Sequence, residues 1–81
     1  MEAVIKLLSD LVAIPSMNPM GRGRIGKEYS EQAIAEFVAE FMRKASIDVE
    51  LQQVSPGRPN VIGVVSAGAQ ETLMLEAHLD T

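Results

Sequence analysis

Apolar residues recur at three- and four-residue intervals in two stretches, which predicts two amphipathic helices. The first spans about residues 2–13 and ends before Pro15, because the residue preceding a proline avoids helical backbone angles. The second follows Ser30, which is placed to cap it, and Glu31, which suits the positive end of its dipole. The predicted buried stripes are Val4, Leu7, Leu8, Leu11 and Val12, and then Ile34, Phe37, Val38, Phe41, Met42 and Ala45.

After the second helix the period changes to two, which is typical of strands. Residues 47–52 alternate apolar and polar, so they predict a strand with one solvated face. Residues 61–65 are almost continuously apolar, as in a strand covered on both faces. Residues 73–75 begin a third predicted strand, with turns at residues 55–57 and 67–70 between the three. The expected fold class is α/β, with two helices and three strands.

Such a sheet would end on an apolar strand with an open edge, which invites self-association. We therefore expect residues 1–81 to be a single partial domain, a piece of a larger one, and we expect its exposed sheet edge or face to bind a second copy.

Composition excludes several classes of function. The net charge of −4 and seven dispersed basic residues argue against a nucleic-acid partner. No cysteine is present, so disulfides and thiolate metal clusters are excluded, and a reducing compartment fits. Charged residues interrupt the N-terminal apolar positions, and no apolar run reaches membrane-spanning length. We expect a cytoplasmic protein without a membrane partner.

Residues 21–26 match the dinucleotide-binding pattern G-x-G-x-x-G, and Asp48 follows at roughly the distance of a ribose-binding acid. That pattern requires a strand before the glycines and a helix directly after them. Here a predicted helix and two prolines precede the glycines. The pattern therefore favours a loop between two helices, with dinucleotide or other anion binding as the alternatives.

His78 and Asp80 are the residues most capable of chemistry. They lie two positions apart at the end of an apolar segment, so a strand would present both on one face. Both side chains could bind one metal, or His78 could bind it while Asp80 orients the imidazole. On the spacing alone, an exposed or capping histidine is the more usual interpretation.

Three segments together resemble the acetylornithine deacetylase / succinyl-diaminopimelate desuccinylase / carboxypeptidase family of zinc metallopeptidases. Residues 72–81 (TLMLEAHLDT) resemble its first metal-binding motif. Residues 7–16 (LLSDLVAIPS), with Asn18-Pro19, resemble its first helix and the following loop, and residues 58–63 (RPNVIG) resemble its second strand. The likeness covers the chain in the family's order, except that Ala77 stands where the family often has Gly or Ser.

The resemblance implies an N-terminal fragment of a mixed-sheet zinc exopeptidase (phosphorylase/hydrolase-like) catalytic domain. It implies that His78 ligates one of two zinc ions, with cobalt or manganese as alternatives, and that Asp80 orients the imidazole. The implied reaction removes acyl groups from small N-acyl amino acids or cleaves short peptides. The family's other ligands and general base lie downstream of the matching region.

We therefore expect the isolated chain to bind zinc weakly and to hydrolyse nothing. The alternative is a non-catalytic α/β interaction domain of the same ancestry, in which His78 and Asp80 no longer act. An unrelated small α/β protein is a third interpretation.

Overall fold

The computed structural model describes residues 1–23 and 25–81 and confirms the α/β fold class. Its described elements are α1 (Glu2–Val12), a 3₁₀ turn (Lys27–Tyr29), α2 (Gln32–Lys44), β1 (Asp48–Ser55) and β2 (Arg58–Val64). Within that described part, no helix is long and apolar enough to cross a membrane.

The two strands form an antiparallel hairpin in which Leu51 pairs with Val61. The turn between them is Pro56-Gly57, and Gly57 has φ 76°. This suits a type II turn, which favours proline first and needs a positive φ, hence glycine, second. The turn chemistry visible in the sequence therefore fixes where the hairpin reverses.

Helix α2 packs on one face of this hairpin and supplies the core. Ile34, Ala35 and Ala39 are its buried residues. The two alanines, absent from the predicted stripe, lie fully buried, and small side chains there let the helix approach closely. Phe41, predicted to be buried, is 49% exposed.

The apolar residues of the predicted α2 stripe therefore face two neighbours: some face the sheet and others face α1. An apolar groove of about 210 Å³ runs between the two helices. It is lined by Leu7, Leu11, Phe37, Val38, Phe41 and Met42. Leu7 and Leu11 are half-buried, whereas Val4, Leu8 and Val12 are exposed, so α1 uses only a narrow strip of its apolar face.

Polar contacts join the start of α2 to the hairpin turn. Ser30 Oγ accepts a hydrogen bond from the Gln32 N–H at 3.1 Å and donates one to the Gly57 carbonyl at 2.6 Å. Arg58 donates to both carboxylate oxygens of Glu31, at 2.6 and 3.0 Å, and to the Tyr29 carbonyl at 3.1 Å. Ser30 Oγ thus binds the first residue of the helix, but the cap position that the sequence assigns to Ser30 is occupied by Glu31.

The prediction of a third strand over residues 73–78 is wrong: the sheet in the described residues has two strands. A strand needs a neighbour that accepts and donates its backbone hydrogen bonds, and here residues 73–75 have no strand beside them. Their side chains are correspondingly exposed, Leu75 by 87%. The prediction that β2 is covered on both faces is also wrong, because α2 covers one face and leaves Ile62 and Val64 exposed.

Candidate metal-ligand site

The end of the chain returns to the loop that follows α1. The Thr81 N–H donates to the Ser16 carbonyl at 2.9 Å, and the Asn18 N–H donates to the Thr81 carbonyl at 2.8 Å. Thr81 thus donates to one loop residue and accepts from the residue two positions further on, as in one step of a parallel strand pair. Ser16 itself is buried, so the loop gives the tail a fixed anchor.

The structure brings the two predicted site residues together. His78 Nδ1 lies 2.9 Å from the Asp80 carbonyl oxygen and 3.1 Å from Asp80 Oδ1. Both oxygens are acceptors, so the tautomer inferred for neutral His78 carries its proton on Nδ1. Its Nε2 is then the nitrogen with a free lone pair, as a metal ligand requires.

The contact does not arise as predicted. We expected residues 78 and 80 to meet on one face of a strand, but this segment is not a strand. Instead, Asp80 turns both its backbone carbonyl and its carboxylate towards the same ring nitrogen. Local chain geometry, rather than sheet pleating, therefore makes the pair.

Asn18 is a third participant, which in the sequence is only part of the loop after the first helix. Its Nδ2 donates to Asp80 Oδ2 at 2.5 Å, and its Oδ1 accepts from the Met20 N–H at 2.7 Å. The Asn18 hydrogen bond lowers the pKa of Asp80; partial desolvation opposes this, and the nearby His78 lowers the pKa further. Asp80 is accordingly a carboxylate at neutral pH.

The donor set fits one metal ligand and not a complete site. His78 is the only histidine of the chain, and 85% of its side chain is exposed. Across residues 1–23 and 25–81, no three His, Cys, Asp or Glu side chains are grouped closely enough to hold a metal ion. A catalytic zinc generally has about three protein ligands, so the remaining ligands would have to come from outside this segment.

The glycine pattern lies in a loop, as favoured above. Helix α1 and its following loop precede the glycines, and the three-residue 3₁₀ turn Lys27–Tyr29 comes next. Arg24 lies outside the described residues. The strand and helix that dinucleotide binding requires do not flank the described glycines, which argues against that alternative.

The chain is similar to an uncharacterized metallohydrolase of Methanocaldococcus jannaschii, with 33% identity over 89 residues. The match covers 99% of this chain and 21% of that protein, so the chain spans about a fifth of its relative's length. No family model matches the chain, and no solved structure does. The similarity supports a metallohydrolase-type family and does not distinguish between families of that type.

Proposed function

We propose that this chain carries the first metal-ligand segment of a metal-dependent amidohydrolase of the acetylornithine deacetylase / succinyl-diaminopimelate desuccinylase / carboxypeptidase family. The reaction is hydrolysis of the amide in a small N-acyl amino acid or short peptide. The proposal is carried by the contact of His78 Nδ1 with Asp80, which leaves Nε2 to bind a metal. The similarity to a metallohydrolase over nearly the whole chain supports it.

In this proposal His78 is the metal ligand and Asp80 sets the direction in which its Nε2 points. A carboxylate that accepts the other ring proton also raises the basicity of the ligand. Zinc is the proposed metal, two ions in the complete site, with cobalt and manganese as alternatives. Polarisation of the amide carbonyl and activation of water are the chemistry that such ions supply when bound.

Zinc binding to the chain tests the role of His78 directly. In a chain with ¹⁵N-labelled histidine, we expect zinc to shift the Nε2 resonance more than that of Nδ1, with a Kd weaker than about 1 µM because one imidazole is far short of a full site. His78→Ala should abolish binding. Asp10→Asn, which alters a carboxylate paired with Lys6 on α1, is the control and should leave it unchanged.

Zinc affinity that survives His78→Ala would contradict this assignment. So would a shift confined to Nδ1, since that nitrogen is the one held by Asp80.

Activity requires the rest of a hydrolase, which a chimera can supply. This chain would replace the matched fifth of the M. jannaschii metallohydrolase, and the product would be assayed on N-acetyl amino acids and dipeptides with and without a chelator. We expect chelator-sensitive hydrolysis that His78→Ala reduces at least about a hundredfold, because losing a ligand should cost no less than losing a group that orients one, which costs up to about a hundredfold. A folded, zinc-loaded chimera that hydrolyses none of these amides would favour the non-catalytic alternative.

A further inference from the structure

Among the residues that the structure describes, Asn18 makes three hydrogen bonds, and each involves a different group. Its backbone N–H donates to the Thr81 carbonyl, its Oδ1 accepts from the Met20 N–H, and its Nδ2 donates to Asp80 Oδ2. The residue lies in the loop after α1, more than sixty positions from Asp80. One side chain thus joins the loop to the His78–Asp80 pair.

The orientation of the Asn18 amide follows from its partners. The Met20 N–H is a donor and requires the amide oxygen, whereas the Asp80 carboxylate is an acceptor and requires the amide nitrogen. Exchanging oxygen and nitrogen would break both bonds at once. The direction of the Nδ2 donor is therefore determined by the turn at residues 18–20.

This donor divides the two oxygens of Asp80 between two partners. Oδ2 accepts from Asn18, and Oδ1 lies 3.1 Å from His78 Nδ1. Without Asn18 the carboxylate could rotate about its terminal bond, which has only a broad preference of its own. With Asn18 bound, rotation would cost the Nδ2 hydrogen bond, so Oδ1 stays directed at the imidazole.

We propose that Asn18 is a positioning residue for His78: its amide fixes the Asp80 carboxylate, which fixes the ring so that Nε2 points outward. This rests on the proposed function, because it assigns Asn18 to the same metal-ligand segment. It adds a residue on a different part of the chain, and it makes the loop after α1 part of the site.

The side chain can be tested apart from the anchoring of the tail. The backbone N–H of Asn18 and the carbonyl of Ser16 bind Thr81 whatever side chain occupies position 18. Asn18→Asp keeps an acceptor for the Met20 N–H, replaces the donor to Asp80 by an acceptor, and adds a negative charge beside that carboxylate. Asn18→Ala loses both side-chain bonds. Asn60→Ala is the matched control, since its amide donates to Gln52 Oε1 on the hairpin.

The measurement is the tautomer of His78 in the metal-free chain, read from ¹⁵N shifts of the two ring nitrogens at a pH where the ring is neutral. We expect the wild type and Asn60→Ala to carry the proton on Nδ1. In Asn18→Asp and Asn18→Ala the Asp80 carbonyl still faces Nδ1 at 2.9 Å, so we expect the proton to stay mainly on Nδ1 but a measurable fraction of the other tautomer to appear. Zinc affinity should fall about tenfold in both, the usual effect of removing a group that orients a ligand.

Docking of the tail is followed in the same samples through the Thr81 amide resonance. A His78 tautomer that stays unchanged in both variants while Thr81 remains docked would overturn the proposal. Loss of Thr81 docking in both variants would also overturn it, because Asn18 would then hold the whole tail rather than the carboxylate. A tautomer that responds to Asn18 in a chain whose His78 does not bind zinc would instead contradict the proposed function alone.

Discussion

Residues 29–64 and residues 66–81 are both rich in apolar side chains, yet the structure treats them differently. In the first region α2 buries three residues against the hairpin, and Ser30 and Arg58 bind across the junction. In the second region Leu73, Met74 and Leu75 are exposed, and the described backbone hydrogen bonds to the rest of the chain are those of Thr81. Apolar composition favours burial, but burial also needs a second surface.

The chain as a whole exposes more surface than a compact protein of its mass. It exposes 6732 Å² for a mass of 8.8 kDa, whereas a compact protein of that mass exposes about 4,800 Å². Its radius of gyration is 14.3 Å, against about 12 Å expected for this length. The excess surface exceeds the roughly 800 Å² that each partner buries in a standard interface.

The largest expected effect comes from truncating the packed region. Ile34→Ala should lower the free energy of unfolding by about 2–4 kcal/mol, because a nearly buried isoleucine leaves a cavity. Leu75→Ala, in the second region, where the side chain is 87% exposed, should change it by less than about 0.5 kcal/mol. Urea unfolding followed by circular dichroism measures both. Equal costs at the two positions would remove the contrast between the regions.

Self-association should depend on the uncovered region. We expect the chain to sediment with a mass that rises with concentration, since its apolar segment has no cover of its own. The double variant Leu73→Lys, Leu75→Lys should weaken association at least about tenfold, or 1.4 kcal/mol. The control is Val4→Lys, Leu8→Lys, which charges the exposed side of α1. Dissociation by the control alone would place the contact on α1, and a wild type that stays monomeric at all concentrations would refute the expectation.

A smaller effect should distinguish the two kinds of ion pair. Arg58→Ala removes hydrogen bonds to Glu31 and to the Tyr29 carbonyl at a half-buried junction, and should cost about 1–2 kcal/mol of stability. Lys6→Ala breaks an exposed pair with Asp10 within α1 and should cost about 0.5 kcal/mol or less. The same urea measurements apply. A larger cost for Lys6 would mean that the junction between α2 and the hairpin contributes little.

The smallest effect concerns pH at the anchored end of the tail. The pKa of Asp80 is lowered below its unfolded value of 3.8, so its contacts favour the docked tail above that pH and are lost as pH falls through the lower, folded value. In Asn18→Ala the pKa should rise towards the ordinary value. Titration of the Asp80 carboxyl carbon by NMR checks this, with Asn60→Ala as control. A pKa that falls in Asn18→Ala would contradict the assigned cause.

Patterns decided by neighbouring residues were predictable from the sequence. The two helices, the Pro56-Gly57 turn and the alternation along β1 depend on spacing and turn chemistry over a few positions. The sequence also predicts that His78 and Asp80 lie together, although on a strand, whereas the structure pairs them in irregular backbone. Metal ligation by His78 remains a prediction.

Features that depend on contacts between distant parts of the chain could not be predicted from the sequence pattern. A run such as residues 73–75 favours a strand, but pairing requires another strand to be present. Burial of Ala35 and Ala39 reflects the close approach of a sheet that their own spacing does not reveal. Asn18 is only a loop residue in the sequence, and the fold brings Asp80 to it across more than sixty positions.

The bonds between Thr81 and the loop after α1 also bear on how the chain folds. Joining residues 16 and 81 closes a loop of about 65 residues, whose entropy cost in an otherwise unfolded chain is about 4 kcal/mol. Helix α2 and the hairpin close much shorter loops, so they can form first and bring the two ends near each other. The docked tail, which positions the His78 imidazole, is then the last part to assemble and the first to open. The backbone amides of this tail should exchange with solvent well before those of the hairpin.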